Sequence, residues 1–222
     1  MRHPLIVALV VGFLALSCSS GEPDRSNSPQ SGVTSSASSA SPTTSLIPKP
    51  GWSRFAVEGF ELALPARFKG GDIDEALDAI ADGEGRIVEQ ARQSLEVIRE
   101  LAAFRLFTFD AEADPGDYVT NVSVLAVPML DPSAAGLLRV AKRQYAELAG
   151  FTVVDAEVVF LGEREVAHLI VDSAFPFGTV RQFHYYLPGL VGTWLVNYAA
   201  LASDASEWRP IFEESASTIR LT

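Results

Sequence analysis

Apolar positions alternate with smaller or polar ones through Phe55, Val57, Phe60, Leu62 and Leu64. That two-residue period belongs to strands with one buried face. Glu58-Gly59 interrupts it and predicts a turn, so the stretch reads as a hairpin ending at Pro65. The period then lengthens. Asp72, with Glu75 three residues on, forms a capping-box start to a helix, and Ile73, Leu77 and Ile80 share one face of it. Gly83 and Gly85 break that run. A second helix carries Ile87, Ala91, Leu95, Ile98 and Ala102 at three- and four-residue spacing. Strands start at Phe104 and Asp117, joined through Pro115-Gly116. Asp131-Pro132 predicts an N-cap followed by proline at the first helical position. The helix it opens places Ala134, Leu138, Ala141, Tyr145 and Leu148 on one side and stops at Gly150.

Four strands follow in quick succession, over about Thr152–Leu161, Glu163–Ser173, Thr179–Leu187 and Thr193–Ala200. Their short glycine- and proline-containing links predict an antiparallel meander. A last helix contains Trp208, Ile211, Phe212, Ser215 and Ile219, with Pro210 tolerable only near its first turn. Helices interrupting a largely antiparallel sheet make the fold class α+β.

The N-terminal part has a different character. Met1-Arg2-His3 precedes an apolar run from Leu5 to Leu16. The run is shorter than the roughly 20 residues that span a bilayer, and it suits the core of a secretory signal peptide. It ends at Leu14-Ala15-Leu16-Ser17-Cys18, which contains the only cysteine of the chain. These residues resemble the bacterial lipobox, where signal peptidase cuts before a cysteine that carries diacylglycerol. The commonest form has Leu three residues before the cysteine and small residues at the next two. Here Ala15, Leu16 and Ser17 fill those positions, and the middle one departs from the commonest form. The alternative is an ordinary signal peptide cut near Ala15 or Ser17, which leaves a free thiol. An exported chain rarely keeps one unpaired cysteine, so the lipid-carrying reading is preferred. Residues 19–48 are dominated by Ser, Thr, Pro and Gly, and cannot bury enough surface to offset their ordering entropy. The expected organisation is therefore a lipoprotein signal peptide over 1–17, a disordered tether over 18–49 lipidated at Cys18, and a folded domain over 50–222.

Charge narrows the partners. The 222-residue chain has 17 Lys and Arg against 28 Asp and Glu, a formal net charge of -11. An acidic surface argues against nucleic acid, whose recognition draws on basic patches. It equally argues against adsorption to anionic lipid, so attachment to a membrane falls to the lipid on Cys18.

Certain segments carry a resemblance. "GFELALP" opens the domain. A helix then precedes "GFTVVDAEVVFLGEREVAHLIVDS", the paired "RQFHYYLPGLVGTWLVNYAA", and a closing helix "FEESASTIRL". Over most of residues 52–222 this order resembles the PsbP-like fold, named for the extrinsic oxygen-evolving protein of photosystem II. A nuclear Ran-binding protein shares that fold, as do small bacterial lipoproteins of the LpqN type. Two features depart from the pattern. Phe68 stands where the family often has Trp, and Asp72–Ala102 reads as an enlarged insertion. The resemblance implies a non-enzymatic binding or assembly module, and does not name its partner.

Motifs for chemistry are sparse. The chain has no P-loop, GxGxxG or HExxH, and no second cysteine for a metal or redox pair. Ser215 and Ser217 lack the GxSxG setting of a hydrolase nucleophile. Asn121 begins an N-x-S sequon, and Glu84, Glu89, Glu96 and Glu100 read as a solvated helix face. A five-residue loop centred on Pro176 would set His168 opposite His184, and a four-residue loop at Gly189–Gly192 would set His184 opposite Asn197. His168, His184 and Asn197 would then form a polar row across three strands, a speculative ligand site. Two histidines without a third ligand make a poor metal site, so no metal or cofactor is expected.

The sequence thus predicts an exported bacterial lipoprotein, held by a lipid at Cys18 on the outer face of the cell membrane, that binds an envelope protein or other envelope ligand and is not an enzyme. The alternatives are a carrier of an apolar small molecule or lipid and, ranked last, an envelope hydrolase.

Overall fold

The computed structural model describes residues 46–81, 92, 103–112, 118–128, 131–189 and 192–222. The predicted helix from Ile87 to Ala102, the glutamates from Glu84 to Glu100, Cys18 and the leader lie outside them.

The expected hairpin forms as β1 (Trp52–Val57) and β2 (Phe60–Pro65), turning at Gly59 with a φ of 80°. A short β3 (Phe68–Gly71) follows, which the sequence pattern did not reveal. Gly70 is at a φ of 109°, and a Cβ there would lie 2.3 Å from the Phe107 carbonyl oxygen. Helix α1 (Ile73–Ala81) starts as expected: the Asp72 carboxylate accepts from the Glu75 N–H, and the Glu75 carboxylate accepts from the Asp72 N–H. Strands β4 (Phe104–Asp110) and β5 (Asn121–Val127) lead to α2 (Ala134–Glu147). The cap of α2 is Ser133, whose hydroxyl accepts from the Gly136 N–H at 3.1 Å. Asp131 instead holds the approach, accepting from both the N–H and the hydroxyl of Ser133.

The meander consists of β6 (Phe151–Leu161), β7 (Arg164–Phe175), β8 (Gly178–Pro188) and β9 (Thr193–Leu201). Helix α3 (Ala205–Ser217) and β10 (Arg220–Leu221) close the chain. Pro210 lies inside α3, beyond its first turn, and the carbonyl it leaves without a donor belongs to exposed Ser206. The segment expected to end as helix instead leaves α3 at Ser217 and pairs with β2 through Arg220 and Leu221.

The architecture is α+β. A seven-stranded antiparallel sheet, ordered β3-β4-β5-β9-β8-β7-β6, is joined by a three-stranded sheet ordered β1-β2-β10. One face of the large sheet packs on the small sheet and α3. Phe60, Leu62 and Leu64 meet Phe183, Tyr185, Val196, Tyr198 and Phe212 there. The other face carries two helices. Leu137, Ala141 and Tyr145 of α2 pack on Leu169, Tyr186 and Leu195, while Ala76 and Ile80 of α1 pack on Phe104, Phe107 and Leu125. Both faces of β8 are therefore covered, and Gln182 to Leu187 form an unbroken buried run.

Residues 46–49, on the tether side of the expected boundary at 50, are tied to the domain. The Leu46 N–H donates to the Glu61 carboxylate at 2.8 Å, and Lys49 pairs with Glu214. Glu61 is buried, and its other oxygen accepts from Arg54 at 2.6 Å.

Candidate functional site

The expected row of His168, His184 and Asn197 forms only in part. Phe175 pairs with Gly178, so the β7–β8 connection is the two-residue turn Pro176-Phe177 and not a five-residue loop. That shifts the register by one residue: His168 pairs with Tyr185, and His184 with Leu169. A one-residue shift moves a side chain to the opposite face of the sheet. The two histidines consequently serve different layers. The expectation for the following loop holds, with His184 opposite Asn197 and Tyr185 opposite Val196.

His184, Asn197 and Ser123 of β5 make a continuous polar row on the α2 side. All three are fully buried. Asn197 donates its amide to the Ser123 hydroxyl at 3.5 Å, and the Tyr145 hydroxyl lies 3.4 Å from His184 Nε2. Neither His184 Nδ1 nor Asn197 Oδ1 has a partner among the described residues. Burial, with a lesser contribution from His168, pushes the His184 pKa down to about 3. Burial also raises the hydroxyl pKa values of Tyr145 and Tyr186. The row is thus neutral at ordinary pH and closed to solvent. It was legible only as the His184–Asn197 pair. Tyr145 read as core packing, and the one signal for Ser123 was a small polar residue inside the apolar run of β5.

His168 faces the α3 side. Its ring stacks on Tyr185 with centroids 4.5 Å apart, and its Nδ1 lies 3.7 Å from the Glu157 carboxylate. Burial lowers its pKa, against the opposing pull of Glu157. Among the described residues, no group of three or more His, Cys, Asp and Glu side chains is placed to hold a metal ion.

Two other sequence features resolve as structure. Asn121 of the sequon is buried and donates to the Tyr118 hydroxyl at 2.9 Å and to the Val119 carbonyl at 3.0 Å. Ser215 is fully buried; it donates to the Ala63 carbonyl at 2.6 Å and accepts from the Tyr198 hydroxyl at 3.1 Å. Its partners join α3 to β2 and β9, and no histidine is among them. A cavity of about 310 Å3 opens where β5 ends and β9 begins, lined by Val127, Pro128, Gly189, Thr193 and Trp194 among others. The Thr193 hydroxyl is buried and has no partner among the described residues.

No family model matches the chain, and no curated protein matches it by sequence. Solved structures do match. Cyanobacterial PsbP from Synechocystis superposes with a TM-score of 0.53 at 12% identity, covering 82% of this chain and 100% of that one. The chain has the PsbP-like fold. LpqN of Mycobacterium tuberculosis, described as involved in cell envelope biogenesis, is similar at a TM-score of 0.46 and 16% identity, over 78% of this chain and 86% of that one. The immunity protein TplEi of Pseudomonas aeruginosa gives a TM-score of 0.44 at 11% identity, over 78% of this chain and 99% of that one. At these identities the likeness concerns the fold. The PsbP-like layout places the small sheet and α3 on one face of the meander, and the helices with the polar row on the other.

Proposed function

We propose that the protein is a lipid-anchored, extracytoplasmic binding module of a bacterial cell envelope, without catalytic activity of its own. The observation that carries this reading is the position of Cys18, between an apolar run and a Ser/Thr/Pro-rich stretch that leads into a PsbP-like domain. Residues 19–45 separate that cysteine from Leu46, whose N–H donates to Glu61 of the domain. The sequestered state of the candidate groups favours binding over catalysis. Both histidines and Ser215 are buried, and Ser215 is engaged by a tyrosine and a carbonyl.

Fractionation of cells making the full chain or its Cys18→Ala variant tests the reading. The unaltered protein goes to the membrane fraction and enters the detergent phase; the variant is released or retained as precursor. Equal partitioning of the two would contradict anchoring through Cys18. Capture from intact envelopes then identifies what the anchored domain holds.

The second reading, a carrier of a small apolar molecule, is favoured by the 310 Å3 cavity beside Trp194. It lies where β5 ends and β9 begins. A fatty acid or similar probe bound there would change Trp194 fluorescence in a saturable way, and an unresponsive Trp194 would remove this alternative.

A further inference from the structure

The large sheet ends at β6, which pairs with β7 on one side and with no other described strand. This edge is long, running from Phe151 to Leu161. Exposed edges are usually guarded by lysine, by proline or by a bulge. Here FTVVDAEVVFL contains neither Lys, Arg nor Pro. Its one irregularity is a register shift between Val153 and Asp155, so Ala156–Leu161 runs on in unbroken pairing from Ala156↔Leu169 to Leu161↔Arg164. That length is an ordinary docking length for one strand. Within it Phe160 is 66% exposed, a large ring left in water beside an edge whose first N–H, that of Ala156, is held by the Asp155 carboxylate at 2.8 Å. The same end is acidic. Glu157, Glu163 and Glu165 are exposed and surround a single basic residue, Arg164.

We propose that the outer edge of β6, along Ala156–Leu161, binds an extended basic segment of a partner protein by strand addition, with Phe160 as the apolar anchor. Main-chain hydrogen bonds supply affinity in this mode, and alternate side chains supply selectivity. Charge complementarity favours Lys or Arg at the partner position beside Glu157, on the face opposite Phe160. It also disfavours a second copy of this chain as occupant, because two β6 edges would set acidic residues against each other. The inference rests on the reading of the domain as a binding module and is independent of the anchor at Cys18.

The test uses the mature chain in detergent and a synthetic peptide of alternating Lys and Val, with a Glu-Val peptide as control. The Lys-Val peptide should bind with amide shifts concentrated on β6. The Glu-Val peptide should not bind, and added salt should weaken the complex. Phe160→Ser removes the anchor at an exposed position without disturbing the core or the charge of the edge, and should weaken binding at least about tenfold. Absence of Lys-Val binding, equal binding of both peptides, shifts away from β6, indifference to Phe160→Ser, or self-association through β6 would each overturn the proposal. The fractionation result stands or falls separately, so failure here is distinguishable from failure of the anchored-module reading.

Discussion

His184 is fully buried, and its imidazole stays neutral far below the pH at which a free one takes up a proton. Its pKa falls from 6.5 in the unfolded chain to about 3 in the folded one. Between those values the unfolded state binds the extra proton, so stability rises with pH there and is lost as pH falls from 6.5 toward 3. The expected loss is about 1.4 kcal/mol per pH unit from this group. His184→Gln keeps a polar, neutral side chain, and denaturant unfolding should show it losing about 2 kcal/mol less than the unaltered protein between neutrality and about pH 5. Parallel curves for the two proteins would mean that water reaches His184. Ser215 makes the opposite kind of prediction. Ser215→Ala leaves the Tyr198 hydroxyl and the Ala63 carbonyl without that partner in the interior, and should cost about 2 kcal/mol or more at any pH. Double substitution with Tyr198→Phe should cost less than the sum of the two single changes, because they share one contact. The chemistry of these residues was readable from the sequence, but their surroundings were not. A serine on a helix and a tyrosine on a strand acquire their bond only when α3 lies across β9.

At the scale of elements, local signals served best where the deciding interaction is itself local. The Asp72–Glu75 box opens α1 because both partners lie within one turn. At α2 the same kind of reading chose Asp131. Ser133 caps the helix and Asp131 holds Ser133, a two-step arrangement within three residues that composition alone does not order. β3 escaped notice because Phe-Lys-Gly-Gly shows no alternation and acquires its strand form from pairing with β4. The β7–β8 register had the deepest cause. Alternation sets register only when one face is buried, and β8 is buried on both, so the hydrophobic pattern fits either alignment and the Pro176-Phe177 turn decides. The N-terminal strap yields a further prediction. Composition placed the start of the domain at 50, yet Leu46 satisfies a buried carboxylate. A chain starting at Pro50 should unfold about 1–3 kcal/mol more easily than one starting before Leu46, as Glu61 loses a donor. Glu61→Gln should shrink the difference between the two lengths. Identical midpoints for both lengths would mean that the Leu46 bond contributes nothing.

Across the whole molecule, the described α+β domain follows an N-terminal stretch of quite different composition. The fold class and the meander were legible because the strands from β6 to β9 have short connections and sequence neighbours pair in space. The three-stranded sheet was legible only as its first hairpin. β10 has just Arg220 and Leu221, and it reaches β2 across the length of the domain. The proposed function rests mainly on the N-terminal region, where the single cysteine sits. If Cys18 bears the lipid, the acidic surface has no need to attract the membrane and is free to select a basic partner through the β6 edge. The central claim is therefore tested most directly by the intact mass of the mature protein purified from membranes. The account predicts a chain that begins at Cys18 and carries a diacylglyceryl group. A chain with an unmodified N-terminus, or one that begins elsewhere, would contradict it.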